Sequence, residues 1–158
     1  MSRVVVLMGS VADMRVAERV AEAAREYGLD VAIRVGSAHK VPEHVLTLLR
    51  AYEADGVPTV YVTLAGRSNA LSAFADAMVT SPVIACPPLD DPFSADIWSS
   101  LRLPSGVASM VVIDPANAAL AAAKILGVSN PAVRAAVAAK QASNAAAVIA
   151  SDPGPAHG

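Results

Sequence analysis

Long hydrophobic runs are missing from this sequence. No stretch reaches the roughly 18 uninterrupted apolar residues that a membrane span needs. The start, Met1-Ser2-Arg3, passes straight into an apolar run without the charged region, long apolar core and cleavage site of a secretory leader. The expected compartment is the cytoplasm. Cysteine occurs once, at Cys86, so no disulfide can form within the chain. Cys86 closes the apolar run Val83-Ile84-Ala85-Cys86 and reads as a buried, inert thiol. Charge is scarce at 16% of residues, the net charge is −2, and no basic run exists. That excludes a general electrostatic grip on nucleic acid. No group of His, Cys, Asp and Glu has metal-ligand spacing, and neither a Walker A ending nor a GxGxxG fingerprint is present. Neither a metal nor a cofactor is expected.

Apolar residues are what the chain has in excess, 54% of the total and chiefly Ala and Val. A length of 158 residues fits one domain with its own core. So apolar a small domain is expected to hide part of its surface in a homo-oligomer.

The apolar residues arrive in two rhythms. Short continuous runs over residues 4–8, 31–35, 57–64, 82–86 and 107–113 suit strands buried on both faces. Between them lie helical patterns over residues 14–27, 42 to about 55, 71–78, 95–101 and 114–126, with Gly28, Gly56 and Gly127 as stops and Pro42 and Pro115 at first turns. Asp13 is placed to cap the first of these helices. Residues 89–94 read as loop. Asn130-Pro131 opens a last helix to about residue 150, for which no later strand offers cover, and residues 151–158 are expected to be a disordered tail. Strands alternating with helices predict a three-layer, doubly wound, flavodoxin-like α/β domain over residues 1–150. Its sheet should have five parallel strands, and the extra C-terminal helix, residues 131–150, should lie at a subunit interface.

Right-handed crossovers should bring the loops after the first three strands to one sheet edge, where such folds bind ligands. The first loop is Met8-Gly9-Ser10-Val11-Ala12-Asp13. It reads equally as a phosphate-type loop at a helix N-terminus and as a plain helix cap on Ser10 or Asp13, with a ribose hydroxyl the better partner for Asp13. In the second, Gly36-Ser37-Ala38-His39-Lys40, Lys40 is a point charge suited to phosphate or carboxylate, and His39 is either a general base or a solvent-exposed loop histidine. His44 reads as surface and His157 falls in the tail. The third, Gly66-Arg67-Ser68-Asn69, precedes a helix whose free N–H groups could form a nest for a small carboxylate. Gly66 there allows an unusual backbone, and Arg67 either clamps the same group or pairs with Asp76.

Taken together, MGSVAD, SAHK, AGRSNAL, PVIACPPL, WSSLRLPSG and NAALAAAKILG, in this order between residues 4 and 140, resemble the phosphoribosylaminoimidazole carboxylase family of purine biosynthesis. The third loop contains no histidine, unlike the AGAAAHLPG-type loop of class I mutases, which act on an N-carboxylated aminoimidazole ribonucleotide. With SAHK, CPPL and WSSLRLPSG it resembles class II, which includes the carboxylase domain of the animal bifunctional enzyme. The resemblance implies direct carboxylation of aminoimidazole ribonucleotide (AIR) by carbon dioxide to carboxy-AIR (CAIR), without biotin or ATP. It implies that His39 is the essential histidine and that Ser10, Asp13, Ser37 and Lys40 bind substrate. Gly66, Arg67 and Ser68 would surround the carbon dioxide or new carboxylate. It further implies an octamer. Two departures stand out: Ala12 replaces a usual serine, and residues 70–76 differ from the Gly-rich continuation of class II.

Overall fold

The computed structural model describes residues 1–88 and 94–154. Most of the loop expected over residues 89–94 therefore lies outside the described residues, as do 155–158 with His157. Ser151–Gly154, the part of the expected tail that is described, is exposed and carries neither helix nor strand.

Five strands, β1 (Arg3–Met8), β2 (Asp30–Val35), β3 (Thr59–Leu64), β4 (Val83–Ala85) and β5 (Met110–Val111), form one sheet in the order β2-β1-β3-β4-β5 with every pairing parallel. The central strands carry the continuous apolar runs because both of their faces are covered: all of β3 and nearly all of β1 is buried. On one face lie α1 (Met14–Glu26), α5 (Pro115–Leu126) and the start of α6 (Pro131–Ala150). On the other lie α2 (Pro42–Ala54) and α3 (Ala70–Met78). A short helix α4 (Ile97–Leu101) follows a single 3-10 turn, Ser94–Asp96, and contacts α3. This is the doubly wound, flavodoxin-like arrangement expected from the sequence.

The helices start and stop where local chemistry dictates. Asp114 accepts the Asn117 N–H at 2.9 Å and Pro115 fills the first turn of α5. The alanines at 118, 119, 122 and 123 are fully buried and let α5 lie close against α1. Gly28, at φ 72°, turns the chain out of α1 in a conformation that costs an L-residue with a side chain strain. Asn130 caps α6 through the N–H groups of Ala132 and Val133, and its amide donates to Ser2 at 3.1 Å. Only Val133 and Val137 of that helix are buried, and residues 138–150 are exposed throughout.

Two readings need correction. The fifth strand, expected over residues 107–113, is only two residues long. Its one partner, β4, has three residues, and Pro87, the next residue after Ala85 whose backbone would face β5, has no N–H to extend the ladder. The first helix is also entered differently. A 3-10 turn, Val11–Asp13, precedes it with Ser10 as its cap, and Asp13 makes no capping bond to α1. Cys86 is fully buried, its thiol donates to the Ile113 carbonyl at 3.3 Å, and burial, with Asp114 adding to it, pushes the thiol up to about 12.

Candidate active site

The site is built from the way β1 meets its two neighbours. Met8, the last residue of β1, pairs with Val35 on one side and Leu64 on the other. The ladder then continues one residue past the strands: the Gly36 N–H donates to the Met8 carbonyl and the Gly9 N–H to the Leu64 carbonyl, both at 2.9 Å. Loops 9–13, 36–41 and 65–69 therefore leave side by side from strands about 4.8 Å apart, their roots within about 10 Å. This is the carboxyl edge at the point where the strand order reverses.

In the first loop Ser10 is exposed and its hydroxyl accepts the Ala12 N–H at 3.2 Å. In the second, Gly36 is buried, and a Cβ there would lie 2.8 Å from Cγ2 of the fully buried Val45. Only glycine lets this loop lie against α2. The Ser37 carbonyl then accepts the N–H groups of Lys40 (3.3 Å) and Val41 (2.9 Å), closing a turn with His39 and Lys40 exposed at its tip. His44 is exposed as expected, yet its ring Nε2–H donates to the Val35 carbonyl at 3.2 Å and ties the first turn of α2 to the end of β2.

The third loop differs most from expectation. Its left-handed residue is Ser68, at φ 42°. The Ser68 N–H donates to Oδ2 of Asp96 at 2.9 Å, and the Asn69 N–H donates to Oγ of Ser99 at 2.8 Å. The nest of free N–H groups is thus largely filled from within the chain, by the turn that leads into α4 and by α4 itself. Asn69 is buried and completes the arrangement. Its Nδ2 donates to Ser100 Oγ (2.8 Å), while its Oδ1 accepts from the Ser72 N–H (3.1 Å) and hydroxyl (2.8 Å). Ser72 in turn lies 2.7 Å from the Thr63 hydroxyl on β3. Gly66 is half-buried and Arg67 and Ser68 are exposed. Asp76, one of the two partners weighed for Arg67, accepts the Ala108 N–H at 2.7 Å.

The predicted residues Ser10, Asp13, Ser37, His39, Lys40, Gly66, Arg67 and Ser68 all fall on these three adjacent loops. Sequence reasoning missed Asp96, Ser99 and Ser100, whose contacts cross 28 to 31 positions of sequence. The one available signal was a run of small polar residues in an otherwise apolar motif. A cavity of ≈ 630 Å³ opens nearby, between Val16, Arg19, Pro88, Leu101 and Asp114, but none of the loop residues lines it.

With this geometry in view, the relatives are informative. The AIR carboxylase family model matches residues 3–147. A curated phosphoribosylaminoimidazole carboxylase of Treponema denticola is 48% identical over 150 residues, covering 94% of each chain. The human bifunctional phosphoribosylaminoimidazole carboxylase/phosphoribosylaminoimidazole succinocarboxamide synthetase is 46% identical over 129 residues, 81% of this chain and 30% of its own length. The crystal structure of Treponema denticola PurE superposes with a TM-score of 0.94 at 47% identity, covering 96% of this chain and 97% of that one. The chain belongs to the AIR carboxylase family, a family of purine-biosynthetic enzymes.

Proposed function

We propose that this enzyme carboxylates AIR directly with carbon dioxide, giving CAIR, with His39 moving the ring proton. The observation that carries the reading is the meeting of three loops at one sheet edge, the second presenting His39 and Lys40 and the third containing no histidine. The ring carbon beside the amine is enamine-like and attacks the carbon of carbon dioxide, forming a C–C bond. The adduct carries both the original ring proton and the new carboxylate on that carbon. His39 in its neutral form accepts the proton, and its bonding electrons return to the ring and restore aromaticity. Lys40 holds the phosphate as a point charge, with Ser10, Asp13 and Ser37 binding the rest of the nucleotide. Because the Ser68 N–H is engaged by Asp96, the carbon dioxide is held by Gly66, Arg67 and the Ser68 hydroxyl. Run backwards, the same histidine donates the proton and carbon dioxide leaves.

The test supplies purified enzyme with AIR and carbon dioxide or bicarbonate, without ATP. CAIR should form, with a faster initial rate from dissolved carbon dioxide than from bicarbonate, and added carbonic anhydrase should erase the difference. Turnover of N-carboxy-AIR that ignores bicarbonate would instead make the enzyme a class I mutase.

Residues 1–150 then act as a single catalytic domain in a cytoplasmic homo-oligomer, an octamer on the family's pattern. Among the described residues no helix is long and apolar enough to cross a membrane. What supports assembly is α6, on which Val148 and Ile149 are 70% and 75% exposed and every residue from 142 to 150 is exposed. Sedimentation should return a single species several times the monomer mass, and cutting α6 at Ala139 should reduce it. A monomer at micromolar concentration would refute this.

A further inference from the structure

We infer that Asp96, with Ser99 and Ser100, is a positioning latch that sets the shape of the carbon dioxide loop, a role the WSSLRLPSG motif does not reveal by itself. The inference rests on the direct-carboxylation reading. Asp96 stands at the N-cap of α4, where an aspartate ordinarily accepts an N–H of its own helix. Here it makes no such bond, and Oδ2 instead accepts the Ser68 N–H at 2.9 Å. That bond falls on the one non-glycine residue in the described chain with a left-handed backbone, a conformation that must be held by its surroundings. Ser99 holds the next N–H of the loop, at 2.8 Å, and donates its own proton to the Asp96 carbonyl at 2.7 Å. Ser100, buried, accepts from Asn69. Three residues within one turn thus engage two consecutive peptide groups and the side chain at the root of α3. Both N–H groups are held by Asp96 and Ser99, so neither is available to a ligand in the cleft. Asp96 touches neither substrate nor reacting carbon. It acts through the orientation of residues 66–68.

A positioning role separates the two substrates kinetically. In Asp96→Ala the kcat/KM for carbon dioxide should fall about tenfold, because a small displacement of a preorganised group is costly. The KM for AIR, bound by the other two loops, should stay within about twofold of the parent enzyme. Asp96→Asn keeps an oxygen for the Ser68 N–H and should restore carbon dioxide kinetics to within about twofold. Amide hydrogen exchange in a peptide covering residues 66–70 should quicken in Asp96→Ala and not in Asp96→Asn. If Asp96→Ala does not fold, Ser99→Ala frees the Asn69 N–H and should show the same kinetic split. Unchanged carbon dioxide kinetics in the Ala variant, a rise confined to the KM for AIR, or an Asn variant as impaired as the Ala variant would each overturn the latch. An unsubstituted enzyme inactive with carbon dioxide would overturn the functional reading and the kinetic half of this inference together. The exchange measurement would then decide the latch on its own.

Discussion

His39→Asn should abolish carboxylation while the enzyme keeps its fold and its melting temperature. The expected loss is about 10²–10⁴-fold in kcat, the range over which a positioned general base contributes. Two features make the substitution clean. His39 is exposed at the tip of its turn, and no hydrogen bond to its ring exists among the described residues, so little packing is lost. His44, the nearest other imidazole in sequence, spends its Nε2 on the Val35 carbonyl and sits on the first turn of α2. It is not placed to stand in. The measurement is the steady-state rate of CAIR formation at saturating AIR, alongside thermal unfolding. Turnover within tenfold of the parent enzyme would remove His39 from the mechanism, and a lost melting transition would shift its role to the fold.

Asn69→Ala should produce the largest loss of stability from any single side chain of the three loops, about 3 kcal/mol in unfolding free energy. The amide joins β3, α3 and α4 through one chain of contacts. The Ser72 hydroxyl lies 2.7 Å from the Thr63 hydroxyl and 2.8 Å from Asn69 Oδ1, and the Asn69 amide donates on to Ser100. Thr63, Asn69, Ser72 and Ser100 are all buried, so water does not replace what the substitution removes. Alanine also deletes the cap of α3, since Oδ1 holds the Ser72 N–H. Chemical denaturation would read the effect as a lower midpoint with an unchanged slope. A loss below about 1 kcal/mol would mean that the network relaxes and contributes little. Activity should fall with it, because the same residue anchors the end of the loop proposed to hold carbon dioxide.

The two variants mark the boundary of what the sequence disclosed. The alternation of strands and helices was legible because Gly28, Pro42, Pro115, Gly127 and Pro131 punctuate it, and helix limits read from them agree closely with the structure. The place of His39 was legible for the same reason: once the strand order is assigned, the loop after β2 must lie beside the loop after β1. The length of β5 was not, because an apolar run says nothing about how much of it finds a partner, and β4 offers three residues. Nor was the filling of the third loop by Asp96 and Ser99. Ser68 and Asn69 look like free helix-start donors until α4, some thirty residues on, is set against them. Local chemistry predicted that these N–H groups want an anion or an acceptor, and only tertiary structure reveals that the chain supplies its own.

The missing methyl at Gly36 has a consequence for the timing of catalysis. A loop that cannot take one extra carbon without striking Val45 has no slack at its root, and the Gly36 N–H is fastened to the end of β1 as well. The root of the second loop is therefore fixed to the sheet. If His39 acts as proposed, the entropy of bringing the imidazole to the sheet edge is lost once, when the protein folds, instead of at every turnover. On the direct-carboxylation reading, what remains to be organised with each substrate is the approach of a small, weakly held gas molecule.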